Sequence, residues 1–166
     1  IFSVAYHPPK DGDENFEQRK AKDAEVMRLA INCVLIAEHI VELKLFLGIE
    51  NPKGSRLFKL ARYDRLHKLT GFYYVDSNMC MFGLKHSATG ELVAKQLRLL
   101  TNAPWMQQVG VLCDGTHIHT HLDGLHTTAS AEYPWKYCTK YAMALKTAKD
   151  YLRIGLAPVS YTHLTL

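Results

Sequence analysis

From about Ala21 to Glu42, apolar residues return at three- and four-residue steps: Ala24, Met27, Ala30, Ile31, Val34, Leu35 and Val41. That spacing keeps one face of a long helix apolar and predicts an amphipathic α-helix. The mostly apolar run 44–50 follows, bounded by Pro52 and Gly54, and predicts a short strand ending at Glu50. A second helical pattern spans 55–69 through Leu57, Leu60, Ala61, Leu66 and Leu69, and breaks at Gly71. Phe72-Tyr73-Tyr74-Val75 is rich in β-formers and reads as a strand, as does "LRLLTN" at 97–102. Between them lies a loop with Gly83 and Gly90. A short helix at 104–109, an irregular histidine-rich segment to about Ser130 and a helix from Pro134 to about Leu152 complete the pattern. Pro134 suits the start of that helix, where a missing N–H costs nothing. Helix, strand, helix, strand, strand is an α/β layout. Residues 1–19, with Pro8-Pro9 and an acidic cluster from Asp11 to Glu17, read as a loop. The stretch "APVSYTHLTL" has neither helical nor alternating periodicity and reads as a tail of linker or adapter character.

With 166 residues, 48% hydrophobic and 22% charged, the chain suits one globular domain with a real core. No run reaches the roughly 18 apolar residues of a membrane span. The net charge of +4 is unevenly spread. Residues 1–50 hold 6 Lys/Arg against 9 Asp/Glu, residues 51–100 hold 9 against 3, and residues 101–166 hold 5 against 4. A basic middle third suits either a face toward phosphates or a solvated surface. Cys33, Cys80, Cys113 and Cys138 include no CxxC pair and are expected to be free buried thiols in a reducing, intracellular compartment, nuclear or cytoplasmic.

Three stretches carry candidate chemistry. Glu50-Asn51-Pro52, with Ser55 just beyond, would project a carboxylate into the crevice at a strand's carboxyl end, where open α/β sheets bind ligands. The alternative is a Glu capping the next helix. "CMFG" (80–83) and "AKQLRLLTN" (94–102) would set Lys95 and Arg98 beside the same crevice, although cations at a strand's edge also serve solubility. In "CDGTHIHTHLDGLH", Cys113, His117 and His119 are candidate zinc ligands, with His121 on the same side if the segment is extended. The C-x3-H-x-H spacing lacks a second ligand pair, so the expectation is a polar loop of surface histidines rather than a metal centre. Tyr137, Tyr141, Ala144, Leu145 and Ala148 share a helical face and are expected to pack in the core rather than stack on bases.

In this order, the pieces resemble the later half of a DNA cytosine-5 methyltransferase-like domain, in the divergent form found in retroelement, viral and metagenomic reading frames. "IFSVA" is similar to residues following that group's Pro-Cys nucleophile. "IENPKGSRLF" is similar to its Glu-Asn motif with the Pro and Ser extension, and "CMFGLKHSATGELVAKQLRLLTN" to its Phe-Gly and basic Thr-Asn segment. "LCDGTHIHTHLDG" and "AEYPWKYCTKYAMAL" resemble the retroelement-type ending. The resemblance implies an incomplete Rossmann-like, S-adenosylmethionine-dependent methyltransferase fold: the C-terminal half of the sheet with flanking helices, over residues 1–152, followed by the tail 153–166. It implies a flipped cytosine, a cysteine adding to ring carbon 6, and DNA as partner. Glu50 would grip ring nitrogen 3, Asn51 and Pro52 would shape the pocket, and Lys95 and Arg98 would steady the nucleotide or a phosphate, with Ser55 beside them. Glu50 is then expected at the carboxyl end of a central parallel strand. The other function class is a non-enzymatic nucleic-acid-binding or zinc-stabilised module of a mobile-element polyprotein, for which Cys113, His117 and His119 should converge on a fourth ligand.

Neither a Pro-Cys nucleophile nor a glycine-rich cofactor strand occurs in the chain. The 166-residue chain alone is therefore expected to transfer no methyl group to DNA; incorporation of labelled methyl from S-adenosylmethionine above the protein-free control is the contrary result.

Overall fold

The computed structural model describes residues 16–69, 71–120 and 132–153. Helix α1 spans Phe16–Glu42, so its first turn takes in residues read from sequence as loop. Glu17 lies in that first turn, where a carboxylate favours the helix dipole. The strand expected over 44–50 is shifted: β1 is Gly48–Pro52. The missing residues are taken by the end of α1. Leu45 N–H donates to the Ile40 carbonyl and Lys44 N–H to the Val41 carbonyl, 3.0 and 2.9 Å. Those two bonds make a Schellman cap with Lys44 in the left-handed region, φ 56°.

The single helix expected over 55–69 is divided. Ser55 Oγ accepts from Leu57 N–H at 3.2 Å and opens a 3₁₀ turn, Arg56–Lys59. Leu60, extended at ψ 135°, then separates it from α2, Ala61–Lys68. β2 is Tyr73–Asn78 and β3 is Gln96–Thr101. Between them a 3₁₀ turn, Met79–Phe82, closes on Gly83 at φ 83°. A further 3₁₀ segment, Pro104–Val109, and helix α3, Trp135–Arg153, match the expected helices closely.

The sheet has the order β1-β3-β2. β3 is antiparallel to both neighbours, pairing Glu50 with Leu99 on one side and Val75 with Leu99 on the other. β1 and β2 therefore run parallel to each other with β3 inserted between them. This corrects the expectation for Glu50. Among the described residues β1 is an edge strand, its neighbour is antiparallel, and Glu50 sits at its middle rather than at the carboxyl end of a central parallel strand. The chain continues regular pairing through Pro52 because a residue without an N–H is tolerated at an edge strand's end.

Helices cover both faces. Under α1 and α2 lie Ala30, Val34, Ala37, Val41, Phe58, Tyr63, Leu66, Phe72 and Leu100. On the other face, Val75, Leu99, Ala103, Trp105, Met106 and Val109 pack with Ala144 of α3. Tyr137 and Ala144 are buried and Tyr141 and Ala148 half-buried, as expected, while Leu145 is 49% exposed. On α1 the buried line is Ala30, Val34, Ala37 and Val41, whereas Met27, Ile31 and Leu35 of the expected apolar face are exposed. Of the four cysteines expected to be buried, Cys80 is buried, Cys113 half-buried, and Cys33 and Cys138 exposed. Among the described residues no helix is long and apolar enough to cross a membrane.

Leu100, fully buried on β3, should tolerate truncation poorly. Leu100→Ala is expected to destabilise the fold by about 2–5 kcal/mol, against about 0.5 kcal/mol or less for Leu145→Ala on the exposed side of α3. Urea unfolding of both variants checks the contrast.

Candidate functional site

Strand alternation decides which of the sequence-predicted site residues meet. Glu50, opposite Leu99, lies on the α3 side of the sheet; Asn51, opposite Arg98, lies on the α1/α2 side. Lys95, just before β3, reaches the Glu50 side: its ammonium sits 5.6 Å from the centroid of the Tyr133 ring. Tyr133 precedes α3 and its hydroxyl donates to Glu50 Oε2. The Tyr133 ring stacks on Tyr137, centroids 5.6 Å apart. Tyr133 was not singled out in the sequence; its signal is the Tyr-Pro pair immediately ahead of α3.

Glu50 Oε1 is buried and has no hydrogen-bond partner among the described residues. Burial pushes the Glu50 carboxyl above the usual carboxylate range, against the opposing pull of the Tyr133 hydrogen bond and of Lys95. Burial likewise pushes the Lys95 ammonium below its ordinary range, opposed by the Glu50 charge. Acid and base are both driven toward their neutral forms because desolvation outweighs their mutual attraction. Burial, and then the bond to Glu50, raise the Tyr133 phenol, so it stays a donor.

Arg98 is elsewhere. Its guanidinium makes a two-pronged bond to Asp76, Nε to Oδ1 at 2.7 Å and Nη2 to Oδ2 at 2.8 Å, and lies 4.4 Å over the Tyr74 ring. Lys53 joins Asp76 at 3.1 Å. The Arg98 hydrogen bonds are the main reason the Asp76 carboxyl lies below its usual range. The expected pairing of Lys95 and Arg98 beside Glu50 is thus half met, because three residues along an extended chain reverse the face. Asn51 is buried with Oδ1 unpartnered among the described residues. The Pro52 carbonyl accepts from Ser55 N–H at 2.8 Å, and Ser55 spends its hydroxyl on the Leu57 cap. The Thr-Asn pair at the end of β3 also works on the backbone: Thr101 Oγ1 donates to the Leu47 carbonyl and Asn102 Oδ1 accepts from Leu47 N–H.

A second cluster corrects the expectation of surface histidines. Cys80, Cys113, His117 and His119 bring one ligand atom each to within 4.8 Å of one another. Cys113 Sγ is 3.6 Å from Nε2 of both His117 and His119, and the two Nε2 atoms are 3.0 Å apart. Gly115, left-handed at φ 73°, turns its N–H onto Cys113 Sγ at 3.4 Å. Asp114 Oδ1 lies 3.8 Å from His117 Nδ1, on the far side of that ring. Burial, and next the Cys113 thiol, push the Cys80 thiol above its ordinary range. Cys80 went unrecognised in the sequence because it lies far from Cys113. A usable signal is that each cysteine is followed within three residues by a glycine, Gly83 and Gly115, and both glycines are left-handed. Such a soft, four-donor set can hold a metal ion. His121 and His126, like the Ile1 region and the tail, lie outside the described residues.

The Glu50 carboxyl makes a pH prediction. In the folded chain it keeps its proton to higher pH than in the unfolded chain, so over that interval the folded state binds more protons and its stability falls as pH rises. Asp76 acts in the opposite sense, its stabilisation being lost as pH falls, but it is common to both proteins compared. Glu50→Gln should match the parent at about pH 4, near the ordinary carboxylate value, and gain relative stability as pH rises toward neutrality. Parallel urea midpoints for the two proteins across that range would contradict the assignment.

Comparison with protein families, with curated proteins and with solved structures yields no match for this chain.

Proposed function

We propose that this chain is the base-holding part of a DNA cytosine-5 methyltransferase-like protein, a C-terminal portion of a Rossmann-like catalytic domain, with Glu50 as the acid that grips the flipped cytosine. The observation that carries the reading is the Glu50 carboxyl itself. One oxygen is fixed by Tyr133, the other is buried and unpartnered among the described residues, and the group is held toward its protonated form. A carboxyl in that state shares or donates a proton to a ring nitrogen while accepting from an adjacent exocyclic amine, the pattern cytosine presents at nitrogen 3 and its 4-amino group. Lys95, beside Tyr133, puts a proton donor next to the base-holding carboxyl. Arg98 is assigned to the Asp76 pair rather than to the base.

S-adenosylmethionine, which the resemblance implies for a whole enzyme, finds no fit among the described residues. The turns leaving β1 and β2 carry Pro52-Lys53-Gly54 and Asn78-Met79-Cys80 rather than a glycine-rich cradle, and the base-holding role of Glu50 stands without the cofactor. A non-enzymatic nucleic-acid-binding module is the second reading. It is favoured by the exposed cations Arg56, Lys59, Arg62, Arg65 and Lys68 along the segment after β1, of which Arg62 faces Glu38 and Lys68 pairs with Asp64.

Fluorescence anisotropy with short oligo-dC and oligo-dT separates the two. Base gripping predicts tighter binding of oligo-dC, and a loss of about 1–3 kcal/mol for that strand alone in Glu50→Ala. Equal affinity for both strands, unchanged by Glu50→Ala, supports the nucleic-acid-binding module instead.

A further inference from the structure

The Cys80, Cys113, His117 and His119 cluster is built from two separate parts of the chain, and both are anchored by backbone bonds that do not involve the four side chains. On the Cys80 side, Met79 N–H donates to the Lys95 carbonyl and Asn78 N–H to the Val111 carbonyl, each at 2.8 Å. On the other side, Thr120 N–H donates to the Leu92 carbonyl at 2.9 Å, and Val93 and Thr120 form a parallel bridge. The ligand atoms are thus presented by backbone already fixed in place.

Their spacing has a chemical meaning. A tetrahedral zinc with Zn–S of about 2.3 Å and Zn–N of about 2.0–2.1 Å has S···N edges near 3.6 Å and N···N edges near 3.3 Å. The two S···N separations here are both 3.6 Å, and the N···N separation is 3.0 Å. Two thiols and two imidazoles are soft and borderline donors, suited to zinc and unsuited to magnesium or calcium. The surroundings favour the ligating forms. Gly115 N–H points at Cys113 Sγ, as suits a thiolate. Asp114 faces Nδ1 of His117, and a carboxylate there selects Nε2 as the ligating nitrogen. Asp114 is itself held by the N–H and hydroxyl of Thr116, at 3.0 and 2.8 Å.

We propose that Cys80, Cys113, His117 and His119 form a closed tetrahedral zinc site that ties the turn after β2 to the segment 111–120. Four protein ligands leave no coordination position for substrate, so the role is structural. Loading releases the two thiol protons to solvent, and zinc stays divalent throughout. The Met79 bond to the Lys95 carbonyl joins the Cys80 turn to the residue beside Tyr133. The zinc assignment does not depend on the base-holding reading, and its test reads metal rather than base.

The test uses the whole 166-residue chain, expressed with zinc and dialysed against reductant. Elemental analysis should find one equivalent of zinc. Thiol alkylation read by mass spectrometry should modify the exposed Cys33 and Cys138 while sparing Cys80 and Cys113, until a chelator exposes all four. Replacing zinc with cobalt should give the visible bands of a tetrahedral ion and a thiolate charge-transfer band that halves in Cys80→Ser. His117→Cys should keep the metal and strengthen that band, which guards against reading misfolding as loss of a ligand. Absence of bound zinc in the folded parent chain overturns the proposal. So does protection of Cys80 and Cys113 that yields to reductant but not to chelator, which would mark a disulfide.

Discussion

β3 is hydrogen-bonded along both edges, and the rest of the fold takes its layout from the alternation of its side chains. Leu97 and Leu99 point toward α3, while Arg98 and Leu100 point toward α1 and α2. Each residue of β1 and β2 inherits its side from the β3 residue opposite it. A slip of one position would send Glu50 under α2 and Asn51 under α3, and would break the Asp76–Arg98 pair that now lies directly across β2 and β3. Register in this small sheet is therefore the constraint on which chemical groups can meet.

At Glu50 two effects compete, and the balance sets its chemistry. The Tyr133 hydrogen bond and the Lys95 ammonium favour the carboxylate, and burial favours the acid; burial prevails. Asp76 shows the reverse outcome on β2, two strands away and on the opposite face, where a two-pronged guanidinium overcomes partial burial. The same residue class thus serves as a proton-holding acid on one face and a fixed anion on the other. The difference lies in how deeply each carboxyl is buried and in what is placed opposite it.

Much of this was legible in the sequence. The three helices, two of the strands and the loop glycines at 83 and 90 follow from periodicity and turn chemistry alone, since each depends on neighbours within a few residues. What periodicity could not reach was set by distant partners. The run 44–47 reads as strand but is drawn into the cap of α1 and tied to Asn102. Arg98 reads as a companion to Lys95, but Asp76 holds it on the other face. Cys80 completes the Cys/His cluster only because β2 and the 111–120 segment come together in space. Pairing direction was also hidden: nothing local distinguishes a strand that will lie antiparallel between two others from one in a parallel sheet.

The Lys44 turn has a consequence for how α1 is held. A residue with a side chain in the left-handed region carries a local penalty of about 1–2 kcal/mol, so the sequence around it does not favour stopping the helix there. Asn102 holds the residues just beyond it, accepting from Leu47 N–H at 2.8 Å and donating to the Leu45 carbonyl at 3.2 Å. The end of a helix is thereby set by an amide more than fifty residues away. In this protein the length of α1 is a property of the sheet, and a chain lacking β3 would have no reason to end the helix at the same place.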